Sequence, residues 1–162
     1  MFSYPNEVKS VQVAAPQIGV PGAVTSDVVC LKNVHKAWIE VNFNPVGGAA
    51  LLLTPQRCPD VTPSANAVLV TAVPIWVNDD TATSDALVRQ ADAVNYTTTA
   101  DANPKKVIFE IDPAELGLTG AGVPYDCIRL VTGALPNTDM IQINVVCQMR
   151  YQSCPPPTVL TN

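Results

Sequence analysis

The sequence predicts an all-β protein: a single-domain β-sandwich or jelly roll of about eight or nine short antiparallel strands, with extended N- and C-terminal arms. Three observations lead there. Several stretches alternate apolar and polar residues with the period of two that a half-buried strand requires. Turn signals rich in Gly, Pro, Asn and Asp recur roughly every eight to fifteen residues. No stretch holds the helical period over a normal helix length. A chain of 162 residues has the size of one domain, which buries about 70% of its extended surface and needs no staples.

Residues 1–22 read as an arm interrupted by Pro5, Pro16 and Pro21, in which 8–13 can add a short edge strand. Residues 23–31 and 37–43 are the next strands. In the second, Ala37, Ile39, Val41 and Phe43 face the core, while Trp38, Glu40 and Asn42 face out. A turn at 44–48 leads to a short buried strand at 49–54, and 55–65 is a surface loop carrying Arg57, Cys58 and Asp60. Residues 68–77 read as one strand bent at Pro74, with Ile75 and Val77 inward and Trp76 outward. An outward Trp is either covered by a loop or the N-terminal arm, or is an intersubunit contact, because Trp is enriched in interface cores.

A polar turn occupies 78–85, and 86–93 reads as a hairpin strand or a strand with a short helical turn. Residues 105–112 place Val107, Phe109 and Ile111 on one side and Glu110 and Asp112 on the other. Asp112, Pro113 and Glu115 are the cap, first position and capping-box partner of a single helical turn. After the glycine-rich turn at 116–122, strands at 125–131 and 140–149 follow, the latter with Ile141, Ile143, Val145 and Cys147 facing one way. Three strands on short connections predict an antiparallel meander from 105 to 149. The domain spans 23–152. The tail at 153–162 holds Pro155, Pro156 and Pro157, which favour extended polyproline II, about 3.1 Å per residue, so that it can reach a neighbouring subunit.

Composition narrows the function. Apolar residues make up 48% and charged residues only 14%, against roughly a quarter charged in ordinary soluble domains. Such a surface is expected to be shared with partners. A net charge of -5 argues against nucleic acid, and the only adjacent basic pair, Lys105 and Lys106, reads as a solvated strand end. The first residues contain neither a basic region nor an apolar run, so no secretory signal is expected. The longest apolar run, around 49–53, is far too short to span a bilayer. A soluble protein assembled in the cytoplasm is the expectation.

Five cysteines, Cys30, Cys58, Cys127, Cys147 and Cys154, show no C-x-x-C spacing. Their odd number and the lack of a signal speak against a disulfide framework. Cys147 continues the inward register of its strand and reads as a small buried hydrophobe, while Cys58 and Cys154 lie in proline-containing loops as candidate exposed thiols. The acidic turn at 78–85 lacks the EF-hand spacing. The single histidine, His35, sits in the turn 32–36 with no nucleophile elbow nearby. Pairing Glu40 with Glu110 as a glycosidase acid and base has no specificity from sequence. No glycine-rich phosphate loop follows a strand. The sequence therefore predicts no catalytic residue, no cofactor and no metal.

Several phrases together carry a resemblance. Thr25-Ser-Asp-Val-Val-Cys-Leu-Lys-Asn-Val-His35, then Cys58-Pro-Asp-Val-Thr-Pro-Ser64, then Val107-Ile-Phe-Glu-Ile-Asp-Pro-Ala-Glu-Leu116, Tyr125-Asp-Cys-Ile-Arg-Leu130 and Arg150-Tyr151 resemble, in that order, small virion proteins encoded beside the major capsid protein of tailed bacteriophages. The likeness covers 24–152 and departs from the usual glycine-phenylalanine phrase at Val123-Pro-Tyr125. The resemblance implies a capsid decoration, or cement, protein on the outer surface of the virion. It would bridge neighbouring major capsid subunits as a homo-oligomer, a trimer suiting three-fold positions. Phe2, Tyr4, Trp38, Trp76, Pro155, Pro156 and Pro157 are the interface candidates, with no nucleic acid or membrane partner. The alternatives are a carbohydrate- or receptor-binding sandwich on a spike, where an outward Trp stacks on a sugar, and a tail or connector component.

Overall fold

The computed structural model describes residues 7–18, 22–62, 66–136 and 138–151. Within them lie twelve strands: β1 (Val8–Ile18), β2 (Gly22–Thr25), β3 (Val29–Cys30), β4 (Val34–Asn44), β5 (Leu52–Cys58), β6 (Ala67–Val68), β7 (Val73–Asn78), β8 (Val88–Ala93), β9 (Tyr96–Thr97), β10 (Lys105–Ile111), β11 (Cys127–Leu135) and β12 (Met140–Met149). A 3-10 turn, Pro113–Glu115, follows β10. The strands form two antiparallel six-stranded sheets. The first has the order β1-β12-β4-β10-β7-β8; the second runs β2-β11-β5-β6, with β3 also paired to β11 and β9 to β5. The all-β sandwich expected from the sequence is the observed fold. The count is higher than expected because β2, β3, β6 and β9 have four residues or fewer, too short for alternation to be legible.

Alternation decides which side of each central strand is buried. Ala37, Ile39 and Val41 of β4, Val107 and Phe109 of β10, and Ile143 and Cys147 of β12 are fully enclosed. They share one core with Leu53 of β5 and Ile128 and Leu130 of β11, so the two sheets close on each other's apolar faces. Each large side chain buried there is worth roughly 1.5–3 kcal/mol relative to exposure. The intervening residues of these strands point away from the core and form the outer face of the first sheet.

Several connections differ from expectation. The meander from 105 to 149 does not form: β10 and β12 lie in the first sheet and β11 in the second. Both edges of β10 are taken, by β4 and β7, leaving no place on it for β11. Residues 68–77 are two strands, β6 in the second sheet and β7 in the first, so the chain changes sheets at 69–72. The bulge at Pro74 is present, as a register shift between Val73 and Ile75.

Besides Pro74, two more prolines sit inside described strands. The expected loop from 55 is strand as far as Cys58. Pro55 falls between the short partners β9 and β6, where β5 is paired on its β11 side only, so its missing N–H disturbs little. Pro16 lies in β1, an edge strand that continues past the expected 8–13, and the register against β12 shifts between Ala14 and Gln17.

The strand expected over 23–31 is broken at Ser26, whose hydroxyl accepts a hydrogen bond from Leu130 N at 2.9 Å while its own N–H donates to Leu130 O. His35 lies within β4, not in a turn, and is exposed. Residues 88–93 are a hairpin strand, settling the ambiguous segment in favour of β. The cap at Asp112 forms as expected, its carboxylate accepting from Ala114 N at 2.9 Å.

Lys105 is a further correction. It occupies the inward register of β10 and is only 1% exposed, so it is no solvated strand end. Its ammonium is taken up at the rim of the sandwich by Asp101, 2.6 Å away, and by the carbonyl of Asp79 at 3.2 Å.

Candidate functional site

Trp38 and Trp76 are on the same surface, the outer face of the first sheet. Trp38 lies opposite Val146 of β12 on one side and Glu110 of β10 on the other. Trp76 of β7 lies opposite Ile108 of β10. Directly opposed residues share a face and touch, and residues displaced by two along the partner strand are diagonal neighbours. Val146, Trp38, Ile108 and Trp76 therefore make one continuous apolar strip across four adjacent strands. All four are half-buried, and none belongs to the core between the sheets.

Charged pairs border the strip. Lys36 pairs with Glu110, Lys106 Nζ lies 3.3 Å from Glu40, and Arg89 of β8 pairs with Asp92. The Arg89 guanidinium also lies over the Trp76 ring, 5.6 Å from its centroid. Glu40 and Glu110 are diagonal neighbours across β4 and β10, each carboxylate held by its own lysine. An apolar centre ringed by neutralised charge is how the core and rim of a protein contact are built.

Of the sequence-predicted interface residues, Trp38 and Trp76 are thus brought together; Phe2, Tyr4, Pro155, Pro156 and Pro157 lie outside the described residues. Neither Ile108 nor Val146 was visible as a surface residue in the sequence, because each is an apolar residue within a largely apolar strand. Their outward register, set by inward Phe109 and Val145, is the signal that finds them.

A second cluster was hidden altogether. Cys30 on β3, Cys127 on β11 and Cys58 on β5 are aligned in one cross-strand row of the second sheet. Cys58 is fully enclosed, not the exposed loop thiol expected, because β5 extends to include it. Burial pushes its thiol up to about 11, and pushes that of Cys147 up to about 12. Cys127 is shifted upward as well, first by burial and then by its hydrogen bond with Asp126, whose Oδ1 is 3.2 Å from Sγ. Lys32 Nζ stands 3.2 Å from the other oxygen of Asp126, and that contact raises the lysine above its ordinary value. The Cys30 and Cys127 sulfurs and an Asp126 oxygen lie within 4.8 Å of one another. Spacing gave no hint of this, since the two cysteines come from opposite ends of the chain and meet only through strand pairing.

No family model matches this sequence, and no curated protein matches it. Among solved structures, the crystal structure of SPBc2 prophage-derived protein YomS is similar to this chain, with a TM-score of 0.45 and 6% sequence identity, covering 87% of this chain and 92% of that one.

Proposed function

We propose that this chain is a structural, non-catalytic component of a tailed-phage virion that decorates the capsid and bridges neighbouring major capsid subunits. The observation that carries the reading is the strip Val146, Trp38, Ile108, Trp76 on an outer sheet face. Two tryptophans directed away from the core are costly to leave wet and are the residue type most often found at binding hot spots. The ordered phrases between 24 and 152 that resemble phage head proteins supply the class of partner. One such contact is of standard size, but a copy that touches two shell subunits gains its second contact at high effective concentration, and many copies in parallel clamp the shell. A homo-oligomer, a trimer at three-fold positions, fits this arrangement.

The sugar-binding alternative asks for a free tryptophan face. Trp76 already carries Arg89 against its ring, and both tryptophans lie in a strip bordered by ion pairs, which favours a protein partner. A tail or connector role would use the same strip and differs in copy number.

The test is a cryo-electron microscopy reconstruction of the particle that contains this chain. Copies repeated over the capsid lattice, with the outer face of the first sheet against a shell subunit or a sister copy, are the expected result. A few copies at one vertex or along the tail would overturn capsid decoration and favour the connector or receptor-binding role.

A further inference from the structure

Cys30 and Cys127 are not simply near each other. Leu31 N donates to Asp126 O at 2.7 Å, which makes residues 31 and 126 a hydrogen-bonded pair of the antiparallel ladder. The adjacent pair, 30 with 127, is then the non-hydrogen-bonded kind, in which the backbones approach to about 4.5 Å and the side chains on one face are closest. The two thiols are thereby held together by the sheet itself, and Asp126, the residue just before β11, brings a carboxylate oxygen within 4.8 Å of both sulfurs.

We propose that Cys30, Cys127 and Asp126 form a binding site for a thiolate-preferring divalent cation of the zinc class. A zinc ion binds cysteine sulfur at about 2.3 Å and carboxylate oxygen at about 2.0–2.2 Å, so tetrahedral ligands stand roughly 3.5–3.8 Å apart. The cluster meets that spacing with side-chain shifts of about 1 Å or less. Two soft sulfurs select zinc, cadmium or cobalt over magnesium or calcium, which take oxygen ligands. Three protein ligands leave a fourth position for water, and half-exposed Cys30 provides the way in.

Binding is a replacement. Each thiol gives up its proton to solvent, and the cation takes the side of Asp126 where Oδ1 now faces Cys127 Sγ; Lys32, whose side chain is 70% exposed, contacts the other oxygen, Oδ2, and need not leave it. The cation would fasten β3, a two-residue strand, to the start of β11. Cys58, on the other side of Cys127 in the same row, is outside the three-atom cluster and serves as the internal control. The site is independent of the virion role proposed above.

The experiment uses the full chain, reduced and freed of metal, in a Cys154→Ser background, with cobalt(II) as the probe. One cobalt per chain is expected, giving the near-ultraviolet thiolate-to-cobalt charge-transfer absorption, which zinc then bleaches by displacement. Cys30→Ser and Cys127→Ser should each abolish the absorption, and Cys58→Ser should keep it. Because Cys30 is half-exposed, Cys30→Ser retains the fold, as circular dichroism can verify, even where Cys127→Ser does not. In parallel, the thermal midpoint of the parent should rise with zinc concentration by mass action, and that of Cys30→Ser should not. Absence of the charge-transfer absorption in the parent overturns the proposal, as does its survival in Cys30→Ser.

Discussion

Lys105 Nζ lies 2.6 Å from Asp101 Oδ1 although the lysine side chain is wholly enclosed and the aspartate is not. The lysine stem runs along the inward face of β10 and its charge emerges at the rim, where the Asp79 carbonyl completes its shell. The pair is lopsided: a buried cation depends on a carboxylate that solvent reaches.

Losing that carboxylate is predicted to leave the buried cation with the Asp79 carbonyl and the more distant Asp79 carboxylate, 4.0 Å away. The hydrogen bond from Lys105 holds the Asp101 carboxyl down at about 2, below the ordinary 3.8. A carboxyl lowered in the folded state stabilises above its unfolded value, and that stability is lost as pH falls from about 4 through about 2. Asp101→Asn should melt below the parent at neutral pH, and the two curves should converge towards pH about 2. Thermal melts followed by circular dichroism across that range measure it; coincident melts at neutral pH would show that the pair contributes nothing.

Neighbouring residues of β10 should behave oppositely. Phe109 is fully enclosed, and Phe109→Ala should cost about 3–5 kcal/mol by lost burial and cavity formation. Ile108 faces out, and Ile108→Thr should change stability by about 1 kcal/mol or less. Urea unfolding of both variants separates them. Equal losses would mean that the outer face of the first sheet is covered within the monomer, contrary to its reading as a contact surface.

The same alternation explains what could be read from sequence. Inward Val107, Phe109 and Ile111 and outward Trp38 and Trp76 follow from a period of two, and each is where that period puts it. Which strand lies beside which is a long-range choice that the period does not encode. Hence the switch of β11 to the second sheet was missed, and with it the meeting of Cys30 with Cys127. Lys105 was misread for a related reason: a charge at a strand start reads as solvated unless Asp101, four residues earlier, is known to fold back onto it. Strand continuation through Pro55 was missed because the gap between β9 and β6 exists only once the sheet is assembled.

Thiol reactivity should follow burial. In the metal-free, reduced chain with Cys154→Ser, a small disulfide reagent near neutral pH should modify Cys30 readily, and Cys58, Cys127 and Cys147 only after unfolding. The buried thiols also set an alkaline limit. Their folded values, about 11 for Cys58 and about 12 for Cys147, lie above the ordinary 9.0. The folded state then keeps protons that the unfolded state releases, so stability is full below pH about 9 and falls as pH rises through the folded values. Cys147→Ala should flatten that decline. Rapid modification of all four thiols in the native state would contradict the enclosed positions of three of them.

If the strip is the contact with the shell, its two tryptophans should dominate the binding energy while contributing modestly to the fold. Trp38→Thr and Trp76→Thr keep a strand-favouring residue at each position, so both variants should fold. Each should weaken attachment to undecorated particles on the order of 30-fold, the equivalent of a hot-spot loss of about 2 kcal/mol. Val123→Thr is the control, since Val123 is 49% exposed and lies outside the sheets, and it should leave binding unchanged. Co-sedimentation with particles gives the affinities. The ionic pairs around the strip add a second signature: they form the solvated rim, so raising the salt concentration should slow association while leaving most of the tryptophan-dependent energy in place. Trp38→Thr and Trp76→Thr variants that bind as tightly as the Val123 control would remove the outer face of the first sheet from the contact, whatever the particle proves to be.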